Sequence, residues 1–175
     1  MRPAPANWSF RENISPSALS VTHDGKYTAI GTKNGLVFLN SRGRLLWFNK
    51  NIRRINDVSV STRSGKIAVG SSQKVLYLIN LKGESLWHRE LESSVLATSI
   101  NSRGNLIAVG TDEGKLILYN GKGKKLWEVH LSNSDFSVNS VDITSDGEFI
   151  VAGTDYSHLY MYDTKGNVLW SKETG

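Results

Sequence analysis

"YDTKGNVLW" (residues 162–170) ends the last repeating unit of this chain, and three near-copies stand upstream: "LNSRGRLLW" (39–47), "INLKGESLW" (79–87) and "YNGKGKKLW" (119–127). Each copy runs Asn or Asp, then Gly three residues on, then Trp four beyond that. The chain has five tryptophans, Trp8, Trp47, Trp87, Trp127 and Trp170, spaced by 39, 40, 40 and 43 residues. Three glycine series keep the same period: Gly25, Gly65, Gly104 and Gly147; Gly31, Gly70, Gly110 and Gly153; Gly43, Gly83, Gly123 and Gly166. A four-fold repeat of about 40 residues is therefore the unit from which the fold is built.

Each unit resolves into four short strands. In the third, "ATSIN" (97–101) alternates and runs into a turn at "SRG", and "LIAVG" (106–110) is almost continuously apolar, as suits a strand covered on both faces. "KLILYN" (115–120) follows, then the turn "NGKG", then "KKLWEVHL" (124–131). Asp24-Gly25 and Asp146-Gly147 are hairpin dipeptides, and Asn40, Asn80, Asn120 and Asp163 open the last turn of each unit with a side-chain oxygen able to bond the turn backbone. No segment has helical periodicity over ten residues. Four antiparallel strands per ~40 residues, repeated, predict an all-β fold: a β-propeller arc of four four-stranded blades. The expected divisions are 1–14, 15–54 (blade 1), 55–93 (blade 2), 94–134 (blade 3) and 135–175 (blade 4). "NWSFREN" (7–13) matches the fourth strand of a unit whose first three strands are missing, which predicts an extra N-terminal outer strand.

With 175 residues, 39% apolar and 21% charged, the chain has the composition of one soluble globular domain. No stretch approaches the ~18 apolar residues of a membrane span, and "MRPAPANWSF" lacks the apolar core of a signal peptide, so a cytoplasmic location is expected. The absence of cysteine excludes disulfides, a thiolate nucleophile and a cysteine-bound metal.

The Asn/Asp–Gly–Trp pattern resembles the tryptophan-docking repeat of propellers related to pyrroloquinoline-quinone dehydrogenases. "SVDITSDGEFIVAGTDYSHLYMYDTKGNVLW" (140–170) is also similar to the WD-like and quinoprotein-like repeats frequent in archaeal proteins. The His and Trp-Asp pair that defines true WD repeats is missing from its expected places, which favours the quinoprotein-like branch. This resemblance implies that Trp47, Trp87 and Trp127 wedge between adjacent blades and pack on the turn glycines Gly43, Gly83, Gly123 and Gly166. Quinone dehydrogenases also need a carboxylate base, a calcium site and usually a vicinal cysteine pair. Without cysteines and with four blades, the expectation is a shared scaffold with no cofactor, no metal and no catalytic residues.

The four histidines, His23, His88, His130 and His158, fall at unrelated places in their repeats, so convergence on a metal is not expected. His23 beside Asp24 has the makings of an acid–base pair, but sits in a tight turn without a nucleophile. Every glycine lies in a hairpin setting, which excludes a phosphate-binding loop between strand and helix.

Charge is more informative. The first and third turns of every unit emerge on one propeller face and carry eleven basic against five acidic residues, out of a net +5 for the whole chain. Arg42, Arg44, Lys82, Lys122, Lys124, Lys125 and Lys165 lie in or beside the third turns, and Arg63 and Arg103 in first turns. This face is a candidate for weak polyanion binding, or a solubilising ring multiplied by repetition. On the opposite face, "EVHLSNSDFSV" (128–138) is longer than its counterparts and is expected to project Asp135 and Phe136 beyond the rim.

The resulting functional expectation is a non-enzymatic β-propeller scaffold for protein–protein interaction or assembly. A nucleic-acid-associated module acting through the basic face is the alternative, and a quinone-dependent dehydrogenase relative a distant third. Five Trp-bearing outer strands against four inner triplets argue against closure as a monomeric ring. The expected assembly edge is the pair of terminal blades, with Trp8, Phe10 and Trp170 near it, taking either a second copy or other propeller blades.

Overall fold

The apolar second and third strands of each repeat pair in sequence order, and the outer strand closes each sheet on one side. In the computed structural model, which describes residues 15–131 and 136–174, this yields sixteen strands in four antiparallel sheets and no helix among the described residues. Blade 1 holds β1 (Pro16–Val21), β2 (Tyr27–Thr32), β3 (Leu36–Asn40) and β4 (Leu45–Asn49). Blade 2 holds β5 (Ile55–Val60), β6 (Ile67–Ser71), β7 (Val75–Ile79) and β8 (Ser85–Glu90). Blade 3 holds β9 (Val95–Ile100), β10 (Leu106–Thr111), β11 (Lys115–Asn120) and β12 (Lys125–His130). Blade 4 holds β13 (Val138–Ile143), β14 (Phe149–Thr154), β15 (His158–Asp163) and β16 (Val168–Glu173). The expected extra strand at 7–13 falls outside the described residues.

Each blade pairs its strands in chain order, 1-2-3-4, so its first and third turns share one face and its second turn the other. The first strands, β1, β5, β9 and β13, pack side by side along the inside of the arc. Among the described residues β13 does not pack back onto β1 in the same way, so the four blades form an open arc.

One blade is too thin to bury itself, and the core accordingly lies between blades. Leu36 and Phe38 of blade 1 meet Ile55, Val58 and Ile67 of blade 2. Leu76 and Leu78 of blade 2 meet Val95, Ile107 and Val109 of blade 3, and Leu116 and Leu118 meet Val138, Ile143 and Ile150 of blade 4. These three apolar layers remove water from both faces of the middle blades. Every first strand also carries a β-bulge near its start, at Ser17, Asn56, Leu96 and Asn139. At Ser17 and Asn56 the extra residue aims its side chain at the next blade.

Candidate interaction surface

The outer turns are built by one hydrogen-bond pattern. Asn40 Oδ1 accepts the N–H groups of Arg42 and Arg44, Asn80 those of Lys82 and Glu84, Asn120 those of Lys122 and Lys124, and Asp163 those of Lys165 and Asn167. Gly43, Gly83, Gly123 and Gly166 have φ of 71°, 83°, 78° and 88°, the left-handed region in which a side chain is strained.

The tryptophan of one blade reaches the turn of the next. Trp47 Nε1 donates to Leu81 O (2.8 Å), Trp87 to Gly121 O (3.1 Å) and Trp127 to Thr164 O (2.9 Å). The indole faces lie on the neighbour's turn glycine: a Cβ placed on Gly83 would stand 3.0 Å from Trp47, on Gly123 2.9 Å from Trp87, and on Gly166 3.3 Å from Trp127. Each of these glycines thus leaves room for a ring as well as permitting the turn. All three rings are half-buried, so the wedge sits at the outer margin of the blade gap. The outermost strand has water on its far side, so the ring bridges the blade gap with one edge exposed. Trp170, at the end of the arc, is 38% exposed and has no such carbonyl among the described residues. Trp8 and Phe10 lie outside those residues.

On the face of the first and third turns, Arg42, Arg44, Arg63, Lys82, Arg103, Lys122, Lys124, Lys125 and Lys165 are all exposed. Two of the basic groups of this face are paired: Lys26 Nζ with Asp24 (2.9 Å) and Lys125 Nζ with Glu128 (2.6 Å). Lys125 opens β12 instead of sitting in the turn with Lys122 and Lys124, because the strand begins immediately after Lys124. Among the described residues, the other eight named cations have no carboxylate within ion-pair distance.

The acid–base suggestion at His23–Asp24 gives way to turn chemistry. The Asp24 carboxylate accepts from Thr22 Oγ1 (2.7 Å), from the Lys26 N–H (3.1 Å) and from Lys26 Nζ. The lysine bond is the largest reason its pKa falls to about 2. No three His, Asp or Glu among the described residues converge as a metal site would require.

On the opposite face, Phe136 does not project freely: it is half-buried and stacks on Tyr156 with ring centroids 4.1 Å apart. Asp135 lies outside the described residues. A cavity of about 200 Å³ opens between blades 2 and 3, lined by Glu92, Lys115, Tyr119, Lys125 and Glu128. Lys115 Nζ on its wall makes ion pairs to Glu92 (2.6 Å), Glu128 (3.8 Å) and Glu113 (4.0 Å). These pairs tie Glu92, in the link between β8 and β9, to Lys115 of blade 3.

The least satisfied surfaces are the two ends. Leu19 and Val21 on β1 are 70% and 57% exposed, whereas Val58 and Val60, at the same places in blade 2, are 4% and 8% exposed. At the other end Trp170 on β16 is exposed where Trp47, Trp87 and Trp127 are half-buried, while Val168 and Leu169 are exposed much as the outer-strand Leu45, Leu46, Leu86 and Leu126 of the other blades are. Burying such residues against a partner yields ~25 cal/mol per Å² of apolar area, the same driving force that closes the interior junctions.

An open arc of four stacked sheets joined by docked tryptophans defines a β-propeller repeat protein of the quinoprotein-like and WD-like type. Residues 33–175 match the family described as outer membrane protein assembly factor BamB, and the chain belongs to that family. Among solved structures, a chain of the mitotic checkpoint complex superposes with a TM-score of 0.83 at 14% identity, covering 95% of this chain and 53% of that one. Hydrazine synthase of Kuenenia stuttgartiensis superposes with a TM-score of 0.78 at 15% identity, covering 95% of this chain and 51% of its own. The chain thus spans about half the length of the solved chains it resembles. No curated protein matches it.

Proposed function

We propose that this chain is a non-enzymatic scaffold that works by protein–protein contact through its end blades. The observation that carries this reading is the contrast between Leu19 and Val21, largely exposed, and their buried counterparts Val58 and Val60. A contiguous apolar face of this kind is a feature of surfaces made to be covered. The names of the family and of one structural neighbour, an assembly factor and a checkpoint complex, fit a role in assembly. The test is chemical crosslinking and affinity capture from the source cell, with the parent and with Leu19→Asp as baits. Retention of discrete proteins, crosslinked to β1 or β16 and lost with Leu19→Asp, is expected. A thermal shift on adding pyrroloquinoline quinone and calcium, with no protein retained, would replace the scaffold by an enzyme.

A second reading rests on the eight named cations of the turn face that have no carboxylate partner among the described residues: weak capture of a polyanion. It predicts binding that fades steeply with salt.

A further inference from the structure

The three interior junctions of the arc obey one rule. The first residue of the incoming inner strand, Ile55, Val95 or Val138, presses against a second-strand glycine of the preceding blade, Gly31, Gly70 or Gly110. A Cβ on Gly110 would stand 2.7 Å from both Cγ1 and O of Val138, and Val58 and Thr98 help fill the first two sockets. A serine of the outgoing inner strand then accepts a backbone N–H of the next blade: Ser20 from Val60 (3.1 Å), Ser59 from Ile100 (3.2 Å) and Ser99 from Ile143 (3.2 Å). At the bulge, Ser17 Oγ donates to Ile55 O (2.5 Å) and Asn56 Nδ2 to Val95 O (2.8 Å).

Blade 4 carries the outgoing half of this junction with no incoming strand in it among the described residues. A Cβ on Gly153 would meet, among the described residues, only its own sheet, at 3.4 Å (Leu159) and 3.9 Å (Ser140). Asn139 occupies the bulge position of Asn56 and is exposed. Asp142 occupies the serine position; its Oδ1 accepts from Ser99 Oγ and the Ile143 N–H, which leaves Oδ2. Blade 1 carries the incoming half. Pro16 stands at the place of Ile55 and is exposed, with Leu19 at the place of Val58. The Thr22 N–H is bonded to Tyr27 O within the sheet, as the Ser61 N–H is to Lys66 O, so by strand alternation the Val21 N–H points outward as that of Val60 does.

We propose that the open face of blade 4 receives blade 1 of a second copy of this chain, with Pro16 and Leu19 seated on Gly153. The Asn139 amide donates to the Pro16 carbonyl, and Asp142 accepts the Val21 N–H. This deepens the scaffold reading by naming the occupant of the end faces. The contact is head-to-tail, and two copies joined at both ends form a ring of eight sheets, within the usual ~4–8 blades of propellers.

The test is the mass of the full chain in solution by sedimentation and light scattering. The parent is expected to reach twice its 19.4 kDa as concentration rises. Gly153→Val fills the socket without touching an interior junction, and Leu19→Asp charges the incoming face. Each variant alone should remain monomeric with an unchanged tryptophan emission spectrum, its dissociation constant raised by about 30-fold or more. Mixed together they should recover a 1:1 dimer, because Leu19→Asp keeps an intact blade 4 and Gly153→Val an intact blade 1. A parent that stays monomeric at every concentration, or variants whose mixture stays monomeric while the parent dimerises, would overturn the second copy. A monomeric parent that still retains a foreign protein, released by Gly153→Val, would overturn it too while leaving the scaffold reading standing.

Discussion

Strand β10 in blade 3, "LIAVGT", is buried at every position from Ile107 to Thr111, whereas β14 in blade 4, "FIVAGT", is buried only at Ile150 and Ala152. The two sequences are nearly the same, and so is their place in the sheet. What differs is the neighbour: β10 has a blade on each side and β14 on one. The same contrast separates β6, buried throughout, from β2 in blade 1. Burial in a repeat fold is thus a property of the junction, and a strand written for two neighbours but given one exposes what the second would have covered.

The largest test of this contrast compares two tryptophans at the same place in the repeat. Trp87 lies on Gly123, donates to Gly121 O and has Arg89 over its ring, with 5.5 Å from guanidinium to centroid. Trp170 has no following blade to dock on among the described residues. Trp87→Ala should cost about 3 kcal/mol, at the low end for a large aromatic since the ring is half-buried, together with its hydrogen bond. Trp170→Ala should cost less than about 1 kcal/mol in the monomer. Denaturant melts of both variants at a concentration where the parent is monomeric give the answer. Equal costs would mean that the docking contact contributes nothing beyond the outer strand itself.

How much of this was legible in the sequence follows the same line. The period, the strands and the left-handed turns are local, and Asn120, Gly123 and Trp127 announce them without any knowledge of the rest of the chain. The junction chemistry was not legible. Gly70 and Gly110 keep the repeat period, but nothing in a glycine says that Val95 or Val138 will press on it from the next blade. Ser20, Ser59 and Ser99 likewise read as ordinary polar residues of a half-exposed strand. Only an alignment of the four repeats shows them in one phase, with Asp142 replacing serine where the arc ends. Exposure of the tryptophan edge was also hidden, since composition alone assigns a large aromatic to the core.

A smaller effect concerns an ionisable group at an interior junction. Asp57 of blade 2 accepts the Thr98 N–H (2.6 Å) and Thr98 Oγ1 (3.2 Å) from blade 3, and burial raises its pKa above the ordinary 3.8 despite those bonds. A raised carboxyl pKa means that ionisation costs the folded state. That cost is absent below the ordinary carboxylate range and appears as pH rises through the folded pKa. Asp57→Asn keeps an oxygen for Thr98 and cannot ionise, so its stability relative to the parent should increase between pH 3 and pH 7. Paired melts across that window check the sign. A difference that is flat, or that shrinks with pH, would show that the carboxylate is better satisfied at the junction than its burial implies.

The smallest effect on stability is expected where the contrast between end and middle blades vanishes. The third turns are held by their own Asn40, Asn80, Asn120 and Asp163 oxygens, with no help from the basic side chains beside them. Lys122 and Lys124 contribute their backbone N–H groups to Asn120, while their side chains are exposed and without an ion pair among the described residues. Replacing both with Glu should therefore change unfolding free energy by no more than about 0.5 kcal/mol, the usual range for surface sites. Lys125 is best left in place, since it belongs to β12 and is paired with Glu128 of the same strand. Binding to a labelled DNA or heparin oligomer at low salt should fall in the same variant, and its slope against log salt should drop by about 2, near 0.9 per lost phosphate contact. The equivalent change at Arg42 and Arg44, in an end blade, should have the same size, because a turn that closes on itself does not sense whether another blade follows. Unchanged polyanion binding in both variants would take the anion site away from these turns. A parent that binds no polyanion at low salt would leave the cations the simpler task of keeping an arc with apolar ends in solution.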